Sequence, residues 1–175
     1  TAAEVTKALG GENKVTAVKT LGHGSLRGLD GQEYSLSAMA GKPVLVCFFS
    51  SWAPPPLATL QDLSKQRQAL SAAGASVLAV AVDPPVDEAK VKTSTQGVAV
   101  PVMIASEEMA GTYNVLHRYL FDRRENLGLP TTFLIDAKGE IVKVYKAPMA
   151  AAQIVQDIPK IEVPASERLA RAVPF

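Results

Sequence analysis

Apolar runs of strand length alternate with amphipathic segments through the middle of the chain. Three runs are continuously apolar, as is typical of strands covered on both faces of a sheet: residues 42–50, 75–83 and 100–105. Helical spacing of apolar side chains follows the first run over residues 56–73, with Gly74 as the expected stop. A weaker helical pattern covers residues 86–96, and a stronger one begins after Ser106, a good N-cap, and reaches residue 128. The pattern therefore predicts strand–helix–strand alternation.

Turn signals predict hairpins on either side of this alternation. Residues 129–146 form two apolar runs joined at Lys138-Gly139, and a short helix over residues 149–158 should follow, stopped by Pro159. Short strand-like pieces flank an Asp30-Gly31 turn, a pair that favours the positive φ of a tight hairpin. We expect an α/β fold with a central mixed sheet and helices on both faces.

Composition and charge narrow the functional classes. The chain has 175 residues, 47% of them apolar and 20% charged, which suits one packed domain. A net charge of +1 gives no field that would attract nucleic acid, and no apolar run approaches the roughly 20 residues of a membrane span. Cys47 is the only cysteine, so an internal disulfide is excluded. His23 and His117 lie far apart in sequence, so we expect no metal site and no cofactor.

Two segments, residues 30–56 (DGQEYSLSAMAGKPVLVCFFSSWAPPP) and residues 128–142 (GLPTTFLIDAKGEIV), carry a resemblance. They resemble redoxins of the TlpA/ResA type, which have the thioredoxin fold and are grouped with alkyl hydroperoxide reductases and thiol-specific antioxidant proteins. That family carries Trp-Cys-Pro-Pro-Cys after a strand and a cis-proline in a later Pro-Thr pair. The resemblance implies a thioredoxin-like fold with an N-terminal β-hairpin extension, and a cis peptide bond between Leu129 and Pro130.

The active-site motif departs from the family pattern at both sulfur positions. Trp52, Pro54 and Pro55 match, but Ala53 and Pro56 stand where the family has cysteines. Alanine offers no nucleophile and proline no thiol, so dithiol exchange is not expected there. The three prolines also lack backbone N–H groups, which disfavours an anion site at the start of the helix. We therefore expect no catalytic residue in this motif.

Two other positions invite a thiol or peroxidase interpretation. Peroxiredoxins carry Pro-x-x-x-Thr-x-x-Cys; Pro55 and Thr59 have this spacing, but Asp62 occupies the cysteine position. We expect Asp62 to be an ordinary exposed helix residue. Cys47 lies inside a predicted buried strand, where burial would leave its thiol inert, although a redox role through Cys47 stays open as an alternative.

A binding surface does not require the missing sulfurs. In redox-active relatives the cis-proline loop pairs with an extended partner peptide, so Trp52, Leu129, Pro130 and Thr131 are the candidate binding residues. Residues 116–126 exceed the usual length of this region. We expect a helical insert before the cis-proline loop, and either a docking site for a flanking domain or a solvated helix face.

The favoured function is a redox-inactive thioredoxin-like module with a binding or structural role inside a larger protein, rather than an enzyme. The alternative is a thiol-dependent antioxidant or oxidoreductase that acts through Cys47 or a partner's thiol. We expect three parts: residues 1–14 as a helix or linker, residues 15–160 as the thioredoxin-like domain, and residues 161–175 as a tail or linker. The resemblance implies a periplasmic or secreted location, with a cytoplasmic one left open.

Overall fold

A computed structural model describes residues 26–52, 56–84, 87–121, 128–146 and 149–161. The expected N-terminal part (residues 1–14), Ala53 and most of the expected C-terminal tail lie outside these ranges.

Seven strands form one mixed sheet across the described residues. They are β1 (Leu26–Gly28), β2 (Glu33–Tyr34), β3 (Val44–Phe49), β4 (Ser76–Ala81), β5 (Val102–Ala105), β6 (Thr131–Ile135) and β7 (Ile141–Lys146). The spatial order is β2-β1-β5-β4-β3-β6-β7. The three strands predicted as buried runs, β3, β4 and β5, pair in parallel, and both flanking hairpins join antiparallel. The expected α/β fold with a mixed central sheet is confirmed.

Five helices cover the sheet within the described ranges. They are α1 (Pro56–Lys65), α2 (Arg67–Ala72), α3 (Glu88–Ser94), α4 (Glu107–Phe121) and α5 (Ala151–Asp157), with 3-10 turns at Leu36–Met39 and Ile158–Lys160. Both predicted turns have a glycine with positive φ, 81° at Gly31 and 85° at Gly139. The Ser106 hydroxyl accepts a hydrogen bond from the Met109 N–H at 3.2 Å, so the predicted N-cap of α4 is present.

Alternating side chains of β3 divide the core between the two faces of the sheet. Leu45, Cys47 and Phe49 pack with buried side chains of α1, α2, α3 and α5. Val44, Val46 and Phe48 face the other way, toward α4. There Phe48, Tyr113 and Phe133 form an aromatic cluster with ring centroids 4.5–5.8 Å apart.

Three sequence expectations need correction. The helix predicted over residues 56–73 is two helices, because Gln66 has ψ of 4° and ends the helical repeat. The helix predicted over residues 149–158 ends at Asp157, before Pro159 as expected, but Ile158 and Pro159 belong to a 3-10 turn that follows it. Asp62 is half-buried rather than exposed, and its carboxylate accepts a hydrogen bond from the Ala151 N–H at 2.6 Å. It therefore caps α5, which packs beside α1 on the same face of the sheet.

The predicted helical insert is described in part. Helix α4 runs to Phe121, which places the first half of residues 116–126 in the helix. The rest of that segment lies outside the described ranges, so its docking role stays a prediction.

A carboxylate joins the edge strand β7 to α5. Asp157 accepts hydrogen bonds from Lys143 Nζ at 2.7 Å and from the Tyr145 hydroxyl at 2.9 Å. Burial alone would raise the Asp157 pKa, but these donors, with Gln153, together hold it below its ordinary value. The pKa of Tyr145 is raised by burial and by its hydrogen bond to Asp157. The native state is therefore stabilised by the ionised form of Asp157.

We predict that Asp157→Asn lowers the free energy of unfolding by about 1–3 kcal/mol at neutral pH, because charge-assisted hydrogen bonds are lost. Since the folded-state pKa is depressed, the wild-type advantage is present above the unfolded-state pKa of about 4 and is lost as pH falls through the folded-state pKa. Urea unfolding of both proteins from pH 7 to pH 3 measures the difference. Lys160→Ala, which removes only an exposed pair at 4.0 Å, is the control. A difference that does not shrink in acid would contradict the assignment.

Candidate functional site

The turn that carries the resemblance begins where β3 ends. Phe49 pairs with Ala81 of β4, and its carbonyl accepts a hydrogen bond from the Val82 N–H at 2.9 Å. Ser50 follows, buried, with a hydroxyl that has no hydrogen-bond partner within the described part of the chain. Trp52 then emerges with 71% of its surface exposed. Pro56 begins α1.

Asp83 holds this turn from the neighbouring strand. It lies two residues beyond β4, and its side chain is buried. Both carboxylate oxygens lie 3.0 Å from the Ser51 backbone N, and the Ser51 hydroxyl also donates to the carboxylate. The Ser51–Trp52 turn is therefore tied to the segment that leads into α3.

The cis-proline loop enters the sheet on the other side of β3. The Leu129–Pro130 peptide bond is cis, which is the isomer that the resemblance implies. Pro130 is buried and Leu129 half-buried. Thr131, also buried, opens β6 opposite Phe48, and its hydroxyl donates to the Gly128 carbonyl. The cis-proline loop, just before β6, and the Trp52 turn, just after β3, therefore lie at the same end of two adjacent strands.

Trp52 faces a helix that the sequence interpretation did not assign to the site. An open groove of about 480 Å³ is lined by Ser51, Trp52, Ala89, Lys90, Thr93 and Ser94. Its second wall is α3. None of Leu129, Pro130 and Thr131 lines it. The parallel pairing of β3 and β4 would have indicated this contact. Segments that follow adjacent parallel strands meet at one edge of the sheet, and here these segments are the Trp52 turn and the connection to α3.

Cys47 lies in the interior of the sheet. It is fully buried, between Ala79 of β4 and Thr132 of β6. Burial raises the pKa of its thiol to about 11, against a smaller opposing effect of the Thr132 hydroxyl. A thiol in this position is poorly ionised and is covered by strand on either side, so the chemistry of a reactive cysteine is not supported.

The described residues hold no group of three or more histidine, cysteine or acidic side chains placed to bind a metal ion. No helix among them is both long and apolar enough to cross a membrane.

Comparison with known proteins places the chain among redoxins. The model of the AhpC/TSA family matches residues 19–144. The thiol-disulfide oxidoreductase ResA of Geobacillus kaustophilus (strain HTA426) is 28% identical over 138 residues, which cover 78% of this chain and 73% of that protein.

Solved structures agree with this placement. A thiol:disulfide interchange protein of the thioredoxin family from Chlorobium tepidum TLS matches with a TM-score of 0.64 at 27% identity, covering 79% of this chain and 92% of that one. The exposed lipoprotein thioredoxin of Streptococcus pneumoniae strain TIGR4 matches with a TM-score of 0.61 at 26% identity, covering 79% and 98%. The expected thioredoxin-like fold is confirmed, and the chain has thiol-disulfide oxidoreductases among its relatives.

We predict that the native Cys47 thiol resists labelling by Ellman's reagent at pH 8. With a pKa of about 11, roughly one thiol in a thousand is ionised at that pH, and burial blocks access as well. Absorbance at 412 nm should therefore rise only when guanidinium unfolds the protein, to one equivalent per chain. Fast labelling of the folded protein would contradict the buried placement of Cys47.

Proposed function

The chain belongs to the AhpC/TSA family, and we propose that it is a redox-inactive, thioredoxin-like member that binds an extended polypeptide segment at the surface formed by Trp52 and the cis-proline loop. In this proposal Trp52, Leu129, Pro130 and Thr131 contribute the binding surface, and no residue is catalytic.

The proposal that this chain is redox-inactive rests on the burial of Cys47. Thiol–disulfide exchange requires a thiolate that can reach the partner's sulfur, and a second thiol to resolve the mixed disulfide. Cys47 is the only cysteine in the chain, and it is fully buried. Neither requirement is met by the residues present.

The turn sequence supports the same conclusion. By the resemblance, Ala53 and Pro56 occupy the positions of the two reactive cysteines. A helix start normally offers free N–H groups that lower a thiol pKa or hold an anion. Pro54, Pro55 and Pro56 contribute none, although proline suits the first helical turn sterically. The sequence of the turn therefore lacks both the thiols and the free N–H groups that a reactive cysteine pair needs.

Two observations support the proposed binding function: the exposure of Trp52, and the position of the cis-proline loop just before β6. Trp52 exposes 71% of its surface, which is unusual for the side chain most often central to binding interfaces. Gly128, exposed, and Leu129, half-buried, lie immediately before β6, where an extended peptide can pair with backbone groups. Both features border the carboxyl end of β3.

One observation favours the alternative of a thiol-dependent oxidoreductase. Relatives such as the ResA protein of Geobacillus kaustophilus are described as thiol-disulfide oxidoreductases. In this chain such an activity has to use Cys47 after local opening, or a thiol supplied by a partner. The two assays below separate it from the binding function.

The cellular location of the domain is also proposed, by analogy with a relative. The pneumococcal relative is described as an exposed lipoprotein, which supports an extracytoplasmic location for this chain. We also propose that the domain is part of a larger protein, in which residues 116–126 are either a docking site for a flanking domain or a solvated helix face.

We predict no reduction of insulin disulfides above the dithiothreitol background, measured as turbidity of the released B chain. The double variant Ala53→Cys/Pro56→Cys should gain this activity, because it restores Cys-Pro-Pro-Cys at the start of α1. Ala53→Ser/Pro56→Ser, which alters the same positions without sulfur, is the matched control and should stay at background. Turnover by the unmodified chain would overturn the redox-inactive assignment.

We predict saturable binding of oxidised insulin B chain, an extended peptide with no free thiol and no tryptophan, seen as a shift in the emission of Trp52. Trp52→Ala should weaken binding by at least about tenfold in calorimetry, as expected for a central aromatic contact. Val115→Ala truncates the other exposed large apolar side chain of the described residues and should leave the affinity within about twofold. An unchanged emission spectrum, together with unchanged amide shifts at residues 128–132, would refute the binding function.

A further inference from the structure

The carboxylate of Asp83 links the two segments that form the Trp52 groove. We propose that Asp83 is a positioning residue, which holds the Ser51–Trp52 turn against α3 and so sets the face that Trp52 presents to a partner. The inference deepens the proposed function and rests on it for the identity of the partner, an extended peptide. The positioning itself can be measured without any ligand.

The hydrogen bonds of Asp83 are concentrated on one residue. Its buried carboxylate receives the Ser51 N–H on both oxygens, at 3.0 Å, and the Ser51 hydroxyl as well. Hydrogen bonds to an ionised acceptor are stronger than those between neutral groups, and a buried carboxylate depends on its donors. Ser51 is therefore fixed at both backbone and side chain, immediately before Trp52.

The opposite wall of the groove has anchors of its own, although the charge of Asp83 also acts on Lys90 there. Helix α3 contributes Val91, which is fully buried, to the core. At its first residue, Glu88 forms an ion pair with Arg27 of β1. Because α3 is anchored by these contacts, loosening Asp83 should move the Trp52 wall and leave the α3 wall in place.

Sequence position explains how one carboxylate reaches the Trp52 wall from the connection that leads to α3. Asp83 lies beyond the end of β4, in the connection to α3, whereas Ser51 lies beyond the end of the adjacent parallel strand β3. A backbone hydrogen bond from the Val82 N–H to the Phe49 carbonyl also joins these two strand ends, and it lies nearer the sheet. Asp83 is thus the contact that reaches furthest out toward Trp52.

The test measures the local motion of Trp52, the only tryptophan, by time-resolved fluorescence anisotropy of the free protein. We expect Asp83→Ala to about double the amplitude of the nanosecond depolarisation, since an unrestrained side chain moves on that timescale. Ser51→Ala should show a smaller increase, and Ser51→Thr, which keeps both donors, should match the wild type.

Asp157→Asn is the matched control for a purely structural role. Asp157 is also a buried carboxylate with several donors, but it joins β7 to α5, away from the groove. This variant should lose stability while leaving Trp52 depolarisation unchanged. If Asp83→Ala does not fold, Asp83→Asn, which keeps one acceptor oxygen and the shape of the side chain, and Ser51→Ala provide the measurement.

The outcomes separate this inference from the proposed function. Wild-type depolarisation in folded Asp83 and Ser51→Ala variants would overturn the positioning role, even if oxidised insulin B chain binds normally to all of them. Increased depolarisation with about tenfold weaker binding of that peptide supports both claims. Increased depolarisation with no binding by the wild type supports the positioning role and overturns the proposed function.

Discussion

The pairing of β3 between β4 and β6 is the constraint on which the site depends. Six consecutive residues, Val44–Phe49, are buried; all six pair with β4, and the first five also pair with β6. Neither the register nor the direction of this strand can therefore change without breaking both ladders. The same pairing fixes where the chain leaves the sheet. It places the Trp52 turn beyond the end of β3, Asp83 beyond the end of β4, and Pro130 just before β6.

The same register also places the only thiol of the chain, that of Cys47, inside the sheet. Position 47 points into the face packed by α1 and α5, with Ala79 and Thr132 beside it in the ladder. A thiol there gains packing and loses ionisation, because burial disfavours the charged form. Under the proposed function, Ala53 and Pro56 occupy the two positions that supply reactive thiols in redox-active relatives. The Cys47 thiol, the only thiol of this chain, therefore lies away from the surface that faces solvent.

Most of the fold could be predicted from the sequence, whereas the site was predicted only in part. Continuous apolar runs and turn glycines such as Gly31 and Gly139 are local signals, and they located the strands correctly. The roles of Asp62 and Asp83 depend on partners 89 and 32 residues away in sequence, and no local pattern indicates such partners. Asp62 was consequently interpreted as exposed, and Asp83 as the last residue of an apolar run. Strand order, once known, supplies the missing proximity.

Under the proposal that this chain is redox-inactive, the turn at Trp52 keeps a use as an ordered binding surface. Immobilising a flexible side chain on binding costs about 0.5–1.5 kcal/mol, and a surface that is already ordered avoids that cost. In this chain Pro56 restricts φ at the first residue of α1, and Asp83 holds Ser51 immediately before Trp52. A dithiol site, by contrast, requires free N–H groups and an exposed thiolate at this turn. Such restraints order the backbone beside Trp52, and an ordered backbone is what the proposed binding function requires there.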